Sequence, residues 1–240
     1  MQRFRSIFCF GFFCLTLSVG ASMPVMAQQS SANPSGAAIG GTSALPKDVD
    51  PESLCRLPFA KREDMDEAGK AVFDDVAGDA RSTVKQRGPA GMRLHSPKNA
   101  EYSRPFIRYL RFETKLGPRL TELAILVVAR EMDSQFEWSA HEPAGLKNGL
   151  KQEVIDIVKY RKPVPAGMDE KEAAIILMGR ELFRIPVVTS ETYAQAAKAF
   201  NREQLVDLVA LIGQYVAADM FIKAFDQQLL DGQTPLLPLP

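Results

Sequence analysis

Apolar residues recur three and four positions apart along most of the chain beyond residue 60, which is the period of one helix face. Met65, Ala68, Val72, Phe73 and Val76 predict a helix over Glu63 to Gly78. Phe106, Ile107, Leu110 and Phe112 predict another over Phe106 to Lys115, and Gly117-Pro118 closes it and opens the next, because proline suits a first helical turn. That next helix, Arg119 to Met132, contains LAILVVA. It is apolar almost all round and is therefore expected to be buried on most sides. Helices over Gln135 to Lys147 and Gln152 to Lys159 follow, then a break at Pro163-Val164-Pro165-Ala166-Gly167, then helices over Glu170 to Phe183, Ser190 to Phe200 and Arg202 to Leu230. Thr189 or Ser190, and Asn201, stand where N-caps belong. Between 87 and 105, three prolines and two glycines interrupt any period, which reads as a structured loop with room for one helical turn. Apart from a weak IPVV beginning at Ile185, no strand pattern emerges. The fold class is all-α, a compact helix bundle. The last helix is apolar on more than one face, so it either forms the centre of the core or packs on a second subunit, and a homo-oligomer is expected.

The N-terminus stands outside this pattern. Arg3 and Arg5 precede an apolar run from Ile7 to Val19, and Val25-Met26-Ala27 follows, the three-part form of a secretory signal peptide over residues 1–27. The run is too short for a membrane span, which needs roughly 20 residues. Residues 28–52 are rich in Ser, Gly, Ala and Pro and read as a disordered linker, leaving 53–235 as the helical domain. The expected location is periplasmic or secreted, with no membrane contact after cleavage. Losing Arg3 and Arg5 from 29 basic residues leaves 27 against 29 acidic ones, a balance that offers nucleic acid no electrostatic footprint. Cys9 and Cys14 also leave with the leader, so Cys55 alone remains and cannot form an internal disulfide; it reads as a packed side chain.

Candidate chemistry concentrates in SQFEWSAHEPAG, residues 134–145. Ser134, Glu137 and His141 are spaced three and four, so they share one helix face. Glu137 can accept a hydrogen bond from His141 and favour its charged form, and histidine is the side chain best tuned to exchange protons near neutral pH. Glu122 lies one turn inside the apolar helix, where a carboxylate must be paired. The plain structural alternative is a solvated Glu and His pair together with an acid that satisfies a helix dipole. Trp138 is either a core or interface residue or a pocket wall, and His95, in the loop, is either exposed or delivered to the pocket. Arg93 and Arg130 are candidates for a substrate carboxylate or for surface ion pairs. No dense ligand motif points to a metal, and no cofactor is expected.

The run RLTELAILVVAREMDSQFEWSAHEPAGLKNGL resembles the carboxymuconolactone decarboxylase-like family, whose members share the alkylhydroperoxidase D-like helical fold. The resemblance is strong over about 119–150 and extends from 60 to 230. It places Glu122 and His141 on the family's Glu and His, and Ser134 and Glu137 where the two cysteines of its peroxidases stand. Peroxide reduction needs a thiolate to attack and a second cysteine to resolve, so the alkylhydroperoxidase or peroxiredoxin-type activity is disfavoured. The resemblance then implies a non-redox acid–base lyase, a decarboxylase or a relative, that acts on a small acidic lactone or oxo-acid. In it His141 donates the proton, Glu137 orients His141 and Glu122 is a second acid or its partner, with Ser134, Trp138 and His95 toward the substrate. It also implies a trimer or hexamer. The alternative is a non-catalytic small-molecule binding or assembly protein on the same fold.

Overall fold

A computed structural model describes residues 45–77 and 86–238; the expected leader and residues 28–44 of the expected linker lie outside the described residues. Nine α-helices run through them in chain order: α1 (Glu67–Ala77), α2 (Pro89–Arg93), α3 (Pro97–Arg108), α4 (Pro118–Glu131), α5 (Gln135–Lys147), α6 (Gln152–Lys159), α7 (Glu170–Arg184), α8 (Ser190–Ala199) and α9 (Arg202–Ala224). Among the described residues there is no strand, and IPVV continues from α7 into irregular chain. The one isolated β-bridge pairs Asp50 with Cys55.

The bundle is built around α4. Every residue from Leu120 to Arg130 is buried, because α5, α6, α7 and α9 all pack against it. Leu123, Ile125 and Leu126 are fully enclosed, as an all-round apolar sequence requires. The α4–α7 approach is close because Gly179 has no side chain: a Cβ there would lie 2.5 Å from Cγ1 of Val127. A smaller cluster of Ala60, Phe73, Ala77, Leu94 and Ala100 holds α1, α2 and α3 together.

The boundaries have local causes. Asp66 accepts a hydrogen bond from the Gly69 N–H at 2.7 Å, so α1 starts at Glu67, and the earlier residues expected in it form only a 3-10 turn over Arg62–Asp64. The stretch from 87 to 105, expected as a loop, is instead α2 and most of α3. Pro89 and Pro97 occupy first-turn positions and open helices rather than break them. The helix expected from Phe106 is the end of α3 plus a π turn over Tyr109–Glu113. Asn201 and Gln204 form a reciprocal capping box at the start of α9, and Thr189 caps α8. α9 stops at Ala224, short of the expected Leu230, where Asp226 turns into the left-handed region at φ 49°.

Beyond that turn the chain runs back across α5. The Gln135 carboxamide accepts from the N–H groups of Leu236 and Leu237 at 3.0 and 2.8 Å, and donates to the Leu237 carbonyl at 2.9 Å. Buried Arg130 donates to the Pro238 carbonyl at 2.6 Å. Cys55 is buried beside Ser53 and its thiol donates to the Leu57 carbonyl, in keeping with a packed role. α9 is long and apolar enough by composition to cross a membrane. It nevertheless buries Asp207 and Asp219 and packs on α2 and α4, as a core helix does.

Substituting Gly179 with alanine should cost about 1–3 kcal/mol in a chemical denaturation series, since the α4–α7 contact must open to admit the methyl group. An unchanged denaturation midpoint would show that the two helices are not pressed together there.

Candidate active site

The short left-handed turn between α4 and α5, with Asp133 at φ 52°, folds the two helices against each other. It brings Glu122 of α4 to His141 of α5, nineteen residues on. The Nδ1 of His141 donates to Glu122 Oε2 at 2.6 Å, and its Nε2 lies 3.2 Å from Glu137 Oε2, one helical turn back. Both ring nitrogens therefore meet a carboxylate, which is the environment of an imidazolium with two N–H donors. Burial favours the neutral ring, but the hydrogen bonds and charges of Glu122 and Glu137 outweigh it, and the His141 pKa is raised above 6.5. All three side chains are less than one-tenth exposed.

Glu122 is the tighter partner and Glu137 the looser one, since only the first makes a short, well-aligned hydrogen bond. Glu122 thus holds the ring more closely than Glu137, the acid expected from the sequence to orient it.

α9 completes the enclosure. The Tyr215 ring meets His141 edge-on, with centroids 5.4 Å apart, and burial holds its phenol far above its usual pKa. One turn on, Asp219 is 1% exposed and faces Ser134. Burial raises the Asp219 pKa, and Ser134 and Lys223 oppose that rise. Lys223 lies 3.1 Å from Asp219 as an ion pair, although neither Asp219 oxygen nor Ser134 Oγ has a well-aligned hydrogen bond among the described residues. The N-cap position of Ser134 is thus a matter of backbone alone, and its hydroxyl turns toward α9.

Two other expected residues are placed elsewhere. Trp138 is fully buried in the core, and its indole N–H donates to Glu142, which also pairs with Lys159 at 3.0 Å. Its side chain packs in the core with its polar end satisfied. His95 occupies the turn between α2 and α3, where its Nε2 lies 2.9 Å from the Pro58 carbonyl. It lines a groove of about 580 Å³ with Phe59, Met65 and Pro97, and none of Glu122, Glu137 or His141 lines that groove. The helical folding of 87–105 turns it away from the α4–α5 pair. Arg130 is occupied by Asp133 and the C-terminal segment. Arg93 is buried against the Phe221 ring at 4.6 Å; burial lowers its pKa and the charge of Glu137 opposes that.

Arg111, on the π turn, was not anticipated. Its Nη2 lies 3.7 Å from Glu122 Oε1, and its charge also acts on Tyr215. Among the described residues no group of three or more His, Cys, Asp or Glu side chains is arranged to hold a metal ion.

No family model matches the chain, and no curated protein sequence does. Among solved structures, a protein of unknown function from Agrobacterium tumefaciens, named as a candidate antioxidant defence protein AhpD, matches with a TM-score of 0.52. The two are 17% identical, and the match covers 58% of this chain and 95% of that one. The fold is AhpD-like. At that identity the likeness concerns the fold and not the chemistry. Within this AhpD-like fold, the constellation on α4 and α5 contains one ring that can carry a proton and no thiol.

The direction of the His141 shift fixes a pH dependence. A folded-state pKa above 6.5 means that the charged ring contributes stability fully present below about pH 6.5 and lost as pH rises through the folded-state midpoint. An NMR titration of the His141 ring should therefore give a midpoint above 6.5, and Glu122→Gln should lower it. A midpoint below 6.5 in the unsubstituted protein would mean that burial outweighs the two carboxylates.

Proposed function

We propose that this AhpD-like protein is an acid–base enzyme, a lyase of decarboxylase or related type that acts on a small acidic lactone or oxo-acid through His141. The observation that carries this reading is the imidazole clamped between Glu122 and Glu137, whose carboxylates raise its pKa in a site nearly closed to water. In a decarboxylation the bond to the carboxylate carbon breaks, carbon dioxide leaves, and the electron pair moves onto the neighbouring carbonyl or lactone group. The resulting carbanion or enolate then takes a proton. His141 Nε2 is the donor, because its hold on Glu137 is the looser one, while Glu122 keeps Nδ1–H and stabilises the ring in both protonation states. General acid catalysis of this kind is typically worth about 10²–10⁴ in rate.

The absence of thiols at 134 and 137 sets this reading apart from peroxide reduction, which would need the pair of cysteines. A second reading, binding without turnover, draws on the same closure: the His141 side chain is only 9% exposed. The three-part leader supports export to the periplasm or beyond. The apolar stripe of Val206, Val209 and Met220, exposed along α9, supports a homo-oligomer.

With the acid that the enzyme turns over, His141→Ala should lower carbon dioxide release by about 10²–10⁴ and Glu122→Gln by a smaller factor, each with the helical circular dichroism retained. Full activity in His141→Ala would remove the assignment. A thiol-dependent peroxide reduction assay should be blank, and turnover in it would overturn the argument from the missing cysteines.

A further inference from the structure

Arg111 is the partner of Glu122 that reaches water. Glu122, Glu137, His141, Tyr215 and Asp219 are all less than one-tenth exposed, whereas the Arg111 side chain is 30% exposed. Arg111 is also the least committed. Its distance to Glu122 is long for an ion pair at 3.7 Å, and its buried Nε has no partner among the described residues. A guanidinium carries five N–H donors in a planar fork that matches a carboxylate, and a buried Nε–H left without a partner is costly unless something else takes it.

The backbone holds Arg111 in place from both sides. Leu110 is fully buried in the core, and the Tyr109 hydroxyl donates to Asp207 of α9 at 3.1 Å. Thr114 N–H closes the π turn onto the Tyr109 carbonyl at 3.2 Å. π turns of this sort occur frequently at functional sites. Phe112, 71% exposed, lies beside the turn, with the guanidinium 4.9 Å from its ring centre. The part-exposed edge of the constellation thus presents a loosely paired cation and an apolar ring beside Glu122, the partner of His141.

We infer that Arg111 is the substrate-carboxylate receptor of this site: it exchanges its loose contact with Glu122 for a bidentate pair with the carboxylate of an incoming small acid, and thereby selects acids over neutral analogues. This inference rests on the reading of His141 as the reacting centre but concerns binding, so it is tested without turnover. A carboxylate on Arg111 lies beside Glu122 and would otherwise be repelled by it, so the guanidinium between the two anions is what admits the ligand. The Phe112 ring covers the ligand's apolar carbons.

The test is titration with succinate, and with its neutral isostere succinamide, followed by the NMR signals of the His141 ring. Succinate should shift those signals in the unsubstituted protein. Its affinity should fall roughly ten- to hundredfold in Arg111→Gln, the loss expected for charge-assisted hydrogen bonds. Arg111→Lys, which keeps the charge and loses the fork, should fall between the two. Succinamide should bind more weakly than succinate and be indifferent to either substitution. Equal succinate affinity in Arg111→Gln, or no shift of the His141 signals by succinate, would overturn the assignment. A parallel loss for both probes would also overturn it, because that would mark Arg111 as structural. If succinate binds through Arg111 while His141→Ala retains turnover, the receptor stands and the reading of His141 falls.

Discussion

A buried imidazole between two carboxylates that raise its pKa is the interaction to which the surrounding packing conforms. Taking any of these groups from water alone would cost several kcal/mol, and removing one partner of a buried pair typically costs about 3–5 kcal/mol. The three therefore have to be buried together, from two helices at once. That requires α4 and α5 to meet at a fixed angle and register, which the left-handed turn at Asp133 and the enclosure of α4 by four other helices provide. The apolar sequence of α4 is thus more than a core element. It supplies the rigid, water-poor wall against which Glu122 can hold a ring nitrogen at 2.6 Å.

The two sides of that ring are unequal, and the inequality gives the site a direction. Nδ1 is held closely by Glu122 and Nε2 more loosely by Glu137, and in the proposed reaction the looser nitrogen is the one that gives its proton. α9 closes the far side with Tyr215 and Asp219, and the π turn leaves Arg111 at the water-facing side. Among the described residues this arrangement holds no thiol. The same AhpD-like scaffold, with two thiols at 134 and 137, would present a different reagent at the same place, which is why the fold alone does not name the reaction.

What could be read from the sequence was what is local. The spacing of Ser134, Glu137 and His141 on one helix face, the burial of α4 and the caps at Thr189 and Asn201 depend on neighbours within one or two turns, and all are found as expected. Glu122 was legible because an acid inside an apolar helix demands a partner, although its rank over Glu137 needed the distances. Tyr215 and Asp219 were hidden because α9 is apolar on several faces, so no periodicity marks which one meets α5. Arg111 was hidden because its orientation depends on a π turn, which leaves no distinct pattern in the sequence. The prolines at 89 and 97 misled in the opposite direction, since the same residue that breaks a helix interior is well suited to open one. His95 and Trp138 were candidates by residue type, and tertiary packing directed one to a separate groove and the other to the core.

The central claim is that His141 stands in the folded protein as a doubly protonated ring between two carboxylates. Joint neutron and X-ray diffraction from crystals grown in heavy water at neutral pH tests it most directly. The account predicts deuterium on both Nδ1 and Nε2 of His141, aimed at Glu122 and Glu137. A ring carrying a single deuterium would contradict it.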